Sequence, residues 1–279
     1  MSRVTVARAV RRYADGVFVS SPDTLAGEEP LELRVGGQRL TLTMRTPGQD
    51  VELAHGYLFA EGVIAAASDV RTVRYCDGVD EQGRNTYNVL DVTLAADRTP
   101  ALDAVLSRAT RTGVTTSACG VCGSASIDAM RTRSRYPLVP AHPVLDPALV
   151  ATLPARLREG QRVFRRTGGL HAAALVGPGG ELGPVREDVG RHNAVDKVIG
   201  AALLAGELPG TDRILLTSSR ASFELVQKAA MAGIPVLVAV SAPSSLAVEL
   251  AADAGMTLIG FARDGAFNLY TGAERIAGA

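Results

Sequence analysis

Residues 170–261 alternate between short apolar runs and longer segments of helical spacing, and this alternation constrains the fold more than any other feature. Leu170 to Val176, Arg213 to Thr217, Pro235 to Val240 and Met256 to Phe261 read as strands. Asn193 to Leu204, Ala221 to Ala232 and Leu246 to Ala254 read as the helices between them. Such spacing predicts an α/β layer architecture with a mixed, mainly parallel sheet. An earlier helix starts at Pro147, where Asp146 can cap it and Gly168 and Gly169 can terminate it.

The first third reads as a smaller α+β region. Leu31 to Val35 and Leu40 to Met44 alternate around Gly36 and Gly37 as a hairpin. A helix is expected from Pro47 and Asp50, with Gly62 near its end, followed by strands at Val70 to Tyr75 and Tyr87 to Leu94. The run Thr112 to Ser126, dominated by Gly, Ser, Thr and Ala, is too poor in large apolar residues for a core and reads as a loop. It marks the division expected here, between residues 1–112 and an α/β domain over 113–279.

Charge excludes several function classes. Lys plus Arg and Asp plus Glu number 29 each, so no net field draws the chain to nucleic acid or an anionic membrane, and an anion site must be local. No apolar run approaches a membrane span or a cleavable leader, so a cytoplasmic protein is expected. The three cysteines suit thiol or metal chemistry in a reducing compartment better than a disulfide framework.

Three constellations can carry chemistry. In the first, Cys119 and Cys122 lie in a Gly- and Ser-rich loop, where the leading reading is a nucleophilic thiolate within reach of a partner. A structural zinc would need two further ligands, a redox dithiol would open a helix directly after a strand, and two small core cysteines would have larger apolar neighbours. A short helix from Ser124 or Ser126 would favour the thiolate. The second is Arg186 to Lys197, with seven charged or imidazole side chains in twelve residues. It reads either as a solvated helix start capped by Asp188 or, through His192 together with His171, as proton management around sulfur. The third lies where strands end: Ser218 to Ser222, Ser241 to Ser245, and Ala262 to Gly265. Parallel strands would gather these at one sheet edge, where Arg220, Ser244, Arg263 and helix N-termini suit phosphate and the Asp264 carboxylate suits the N1 and N2 donors of guanine. GDP is therefore expected to bind there, and adenine nucleotides more weakly. No phosphate-binding glycine loop supports an ATPase or a dinucleotide dehydrogenase.

At these residues the sequence resembles the formate dehydrogenase accessory sulfurtransferase family, often called FdhD. The resemblance rests on Cys119-Gly120-Val121-Cys122-Gly123, Gly168 to Ala173, Glu187 to Lys197, Arg220 to Glu224 and Gly260 to Asp264. It implies a cytidine-deaminase-like three-layer α/β domain and a homodimer. It also implies sulfur transfer from a cysteine desulfurase to molybdenum bis-molybdopterin guanine dinucleotide, the acceptor, before that cofactor enters formate dehydrogenase. By the same resemblance Cys119 carries the persulfide, the acceptor's binding stretch is Phe261, Ala262, Arg263, Asp264, Gly265 and Ala266, and no resident metal is expected. Ser219 departs from the family's usual Gly, which implies a change in that turn. Deamination is not implied: His171 is followed by Ala172 and Ala173 rather than by x-Glu, and the cysteines come earlier without a preceding Pro. The rival function is a non-catalytic chaperone that binds and docks the cofactor.

Overall fold

The central strands are buried on both faces, and their alternate side chains join two different hydrophobic layers. In the computed structural model the described residues are 4–76, 78, 83, 85–96 and 134–279. The main sheet has six strands, β7 (His171–Val176), β8 (Arg186–Asp188), β9 (Ile214–Thr217), β10 (Val236–Ala239), β11 (Thr257–Arg263) and β12 (Ala266–Thr271), in the order β12-β11-β10-β9-β7-β8. Ala172, Ala174, Val176, Leu216 and Val238 point to one face and pack on helix α2 (Pro147–Gly160). Ala173, Leu175, Leu215, Leu237 and Ala239 point to the other and join the larger core. That core is supplied by helices α4 (Arg191–Leu204), α5 (Phe223–Met231) and α6 (Ser245–Asp253). The period of two along each strand produces this division, because successive side chains leave opposite faces.

Pairing in this sheet corrects the expectation of mainly parallel strands. Only β9, β10 and β11 run parallel; β7 pairs antiparallel with both β8 and β9, and β12 pairs antiparallel with β11. The reason is connection length. A two-residue turn at Asp264 and Gly265 can join only antiparallel strands, and β8 inserts one extra reversal between β7 and β9.

A second sheet, ordered β4-β3-β6-β5, contains β3 (Glu29–Val35), β4 (Gln38–Arg45), β5 (Val70–Tyr75) and β6 (Val89–Leu94). Its inward residues Leu31, Leu33, Leu40, Leu90 and Val92 belong to the same core as α4 to α6. Helix α1 (Asp50–Ala60) links the two regions by crossing α4 at glycines. A Cβ on Gly56 would lie 1.9 Å from the Asp196 carbonyl oxygen, and one on Gly200 would lie 1.8 Å from that of Glu52. Buried ions reinforce the junction. Arg45, fully buried, donates Nε and Nη2 to the two oxygens of Asp50 at 3.0 Å each. Such forked pairing satisfies both charges inside the protein.

The first residues form a ribbon of β1 (Thr5–Ala14) and β2 (Val17–Ala26), which pair in register over their full length. Most of it is exposed, so apolar alternation, the signal that reveals a strand in sequence, is missing there. Among the described residues no helix is long and apolar enough to cross a membrane.

Candidate functional site

Because β9, β10 and β11 are parallel, their C-terminal ends meet at one edge of the main sheet. β7 runs the other way, so its first residue, His171, lies at that same edge opposite Asp188 of β8. The three strand-end segments, two of them rich in hydroxyls, do gather there. Ser241 donates its N–H to Ser219 O, Ser244 N–H to Ala221 O, and Phe261 N–H to Ser241 O. Their hydroxyls largely hold the edge together. Ser218 Oγ accepts from Ala172 N at 2.9 Å, Ser219 Oγ meets Thr217 Oγ1 at 3.0 Å, and Ser244 Oγ caps α6 by accepting from Ala247 N at 3.2 Å. Ser219 is buried and is not among the described non-glycine residues with positive φ, so serine fits the turn without backbone strain.

The β11–β12 hairpin is shaped for exposure at this edge. Asp264 (φ 54°) and Gly265 (φ 78°) both take left-handed geometry between the paired residues Arg263 and Ala266, the conformation that matches a two-residue turn to strand twist. Phe261 also has positive φ, 51°, which is strained for an aromatic residue and costs roughly 1–3 kcal/mol. Register shifts between Gly260 and Arg263, so the Phe261 ring is 37% exposed and the Arg263 guanidinium stands 5.9 Å from its centroid. Ala262 is fully buried in the core beneath them, so its methyl group serves packing.

Facing this edge is a cleft of about 690 Å³, whose other wall is α2 and the short helix α3 (Phe164–Thr167). Glu187 fixes that wall: its carboxylate accepts from Val163 N at 2.9 Å and Phe164 N at 2.7 Å, holding the start of α3. The cleft brings together His171, Arg263, Asp264 and Gly265 from the sequence candidates. Phe261, Ala266, Arg220, Ser244 and His192 stand around the edge without lining it. Cys119 and Cys122 lie outside the described residues, as does the proposed short helix after them.

Electrostatically the edge is positive. The His171 imidazole is held below its ordinary pKa first by burial and then by Arg191 and His192, with Arg220 adding to the repulsion. Arg191 begins α4, and its Nε is enclosed with no hydrogen-bond partner among the described residues. Enclosed donors of this kind normally have an acceptor, so an anion suits the place. His192 turns elsewhere: its Nε2 lies 2.5 Å from Glu224 Oε2 and 3.4 Å from Ser222 Oγ. That hydrogen bond holds the Glu224 carboxyl below its usual range.

The rest of the charged run from Arg186 to Lys197 is architectural. Lys197, expected to be solvated in the bland reading of this run, is wholly buried and reaches Asp188 Oδ2 at 2.7 Å and Thr46 O at 2.9 Å. Asp188 also accepts from Thr46 N, Gly190 N and Asn193 Nδ2. The helix cap position belongs to Gly190. Asn193 Nδ2 donates to Met44 O as well, so this motif fastens β4 to the start of α4 and thereby sets Arg191 at the edge. Sequence reasoning missed Arg191 as a site residue, Glu224 as the partner of His192, and the Arg158–Gln161–Phe164 wall. Dense charge pointed towards the first two; nothing in the local sequence distinguished the third from an ordinary amphipathic helix.

Known proteins sharpen this picture. The family model described as FdhD/NarQ matches residues 26–277. Proteins named sulfur carrier protein FdhD are similar to the chain throughout. That of Streptomyces coelicolor is 57% identical over 99% of this chain and 97% of the relative. That of Nocardia farcinica is 57% identical over 98% and 95%, and that of Mycobacterium tuberculosis 53% identical over 99% and 100%. A crystal structure from Desulfotalea psychrophila, provisionally described as a formate dehydrogenase accessory protein, superposes with a TM-score of 0.75 over 98% of this chain and 100% of that one. At 23% identity it establishes shared fold alone. With a family match over almost the whole length and relatives above half identity at full coverage, the chain belongs to the FdhD/NarQ family.

Proposed function

We propose that the protein transfers sulfur during formate dehydrogenase maturation, as a cytoplasmic sulfurtransferase carrying persulfide on Cys119. In this reading the Cys119 thiolate attacks the outer sulfur of a cysteine desulfurase persulfide. A new S–S bond forms on Cys119 while the donor's S–S bond breaks and its electron pair leaves with the donor thiolate. The Cys122 thiolate then attacks Cys119 Sγ, so the persulfide S–S bond breaks, the carried sulfur leaves as sulfide and the two electrons come from formation of a Cys119–Cys122 disulfide. The sulfide passes to the molybdenum of bis-molybdopterin guanine dinucleotide, a substrate held through its guanine nucleotide arms. The observation that carries the binding half of this reading is the positive sheet edge. His171 and Arg263 line a cleft large enough for a nucleotide, Arg191 and Arg220 stand close enough to His171 to repel its proton, and Arg191 Nε is enclosed with no partner among the described residues. The names of the relatives support the sulfur half. Helices on both faces of the six-stranded sheet agree with the cytidine-deaminase-like layering proposed for this domain, and we include a homodimer in the reading.

The test is an intact-protein mass spectrum after incubation with a cysteine desulfurase and cysteine. One added sulfur, mapped to Cys119, absent in Cys119→Ala and present in Cys122→Ala, is the expected result. Unchanged mass while the desulfurase turns over would refute the relay and leave a cofactor-binding chaperone. Stoichiometric zinc lost in both variants would make the loop a metal site.

A further inference from the structure

Gln161, at the end of α2, is 3% exposed and lines the cleft, yet its side-chain amide makes no hydrogen bond to any described residue. Its backbone is already committed: Gln161 N donates to Arg158 O at 3.3 Å, and its carbonyl accepts from Arg165 N at 3.2 Å. Only the amide is left. The amide opens into the cleft, so a ligand there that offers both a donor and an acceptor can pair with it side by side. Beside it stands a flat surface. The Arg158 guanidinium lies 4.6 Å from the Phe164 ring centroid, and both residues line the cleft. A planar aromatic ligand can stack on such a surface.

We propose that the α2–α3 wall reads the nucleobase, with Gln161 pairing to the six-position edge of a purine while the phosphates lie towards Arg263 and the other cations. The amide donates to O6 of guanine and accepts from N1–H, a side-by-side match for its own donor and acceptor. Turned over, the same amide would serve adenine. Choice of guanine therefore falls to Asp264 on the opposite wall, whose acceptor-only carboxylate suits the N2 amino group that adenine lacks. This inference rests on the reading that a guanine nucleotide occupies the cleft.

Calorimetric titrations of the full chain with GDP, IDP and inorganic pyrophosphate separate the two. Gln161→Met keeps size and removes the amide. It should weaken GDP and IDP about tenfold, the value of a buried hydrogen bond, and leave pyrophosphate unchanged. The variant without ligand should be as stable as wild type, since the amide bonds no described residue and the exchange keeps its volume. Gln161→Glu, polar and of equal length, removes the donor to O6 and should likewise weaken GDP while sparing pyrophosphate. GDP binding to wild type that neither variant alters would overturn the role of Gln161 alone, as would an equal loss for GDP and pyrophosphate. Failure of wild type to bind GDP would overturn the nucleotide reading of the cleft and this inference with it.

Discussion

Replacing Gly200 by Ala should destabilise the protein although the exchange improves helix propensity. Gly200 lies inside α4 where α1 crosses it, and an added Cβ would stand 1.8 Å from Glu52 O and 2.8 Å from Gly56 N. Ordinary contact begins at 3.4 Å, so the helices must part by about 1.6 Å. Both obstructing atoms are backbone, which cannot rotate away. Propensity favours Ala by about 1 kcal/mol, whereas overpacking costs about 1–3 kcal/mol and lies at its upper end against rigid backbone on both sides. The net expectation is a loss of about 1–2 kcal/mol. Displacement of α1 also pulls on the Glu52 pairing with Arg186 and on Asp50 beneath Arg45. Urea unfolding followed by circular dichroism reads the change as a lowered midpoint at constant slope. Ala201→Gly, one residue along the same helix and only half-buried, is the control: it loses propensity without a clash. A Gly200→Ala variant as stable as wild type, or more so, would refute the close-crossing argument.

Lys197→Met should cost about 3–5 kcal/mol in the same assay, because it strands the buried Asp188 carboxylate, and adding Asp188→Asn should restore part of the loss; a change under 1 kcal/mol would show that the pair is not buried in solution. His171 titrates in the folded protein below its unfolded value of 6.5, so the unfolded chain binds more protons between the two values and stability falls as pH drops through 6.5 towards the folded pKa. A bound diphosphate favours the imidazolium, so GDP affinity should rise as pH is lowered through that region, and His171→Gln should flatten both profiles; unchanged slopes would remove His171 from the site. Arg263→Ala should weaken GDP at least tenfold through loss of a charge-assisted hydrogen bond, and unaltered affinity would place the phosphates elsewhere.

The strand and helix segments of the last hundred residues were legible because apolar period reports burial directly. Helix α2 was legible from its cap: Asp146 accepts from Ala148 N at 2.8 Å, as its position before Pro147 suggested. Strands β8 and β12 were not, since one is three residues long and the other alternates between exposed and half-buried positions. For the site, the gathering of three strand ends followed from a partly correct sheet, whereas the Asp264-Gly265 turn that reverses the chain into β12 did not. The charged run from Arg186 to Lys197 was recognised as special but divided differently, because burial, which no local pattern reveals, decides whether a charge is structural.

By itself the sequence determined the order of the central strands and helices, the Gly36-Gly37 hairpin turn and the family. These depend on residues close along the chain, whose periodicity, capping and backbone freedom act locally. Tertiary structure alone decided that β7 runs against β9 and that Lys197 and Asp188 pair inside the core while Arg191, three residues from the nearer of them, is left with a donor unmatched among the described residues. It also decided that Gln161 faces Arg263 and Asp264 across the cleft, though more than a hundred residues separate them. Such meetings depend on how two layers close over one sheet, and the free energy that selects them comes from burial summed over the whole core rather than from any segment within it.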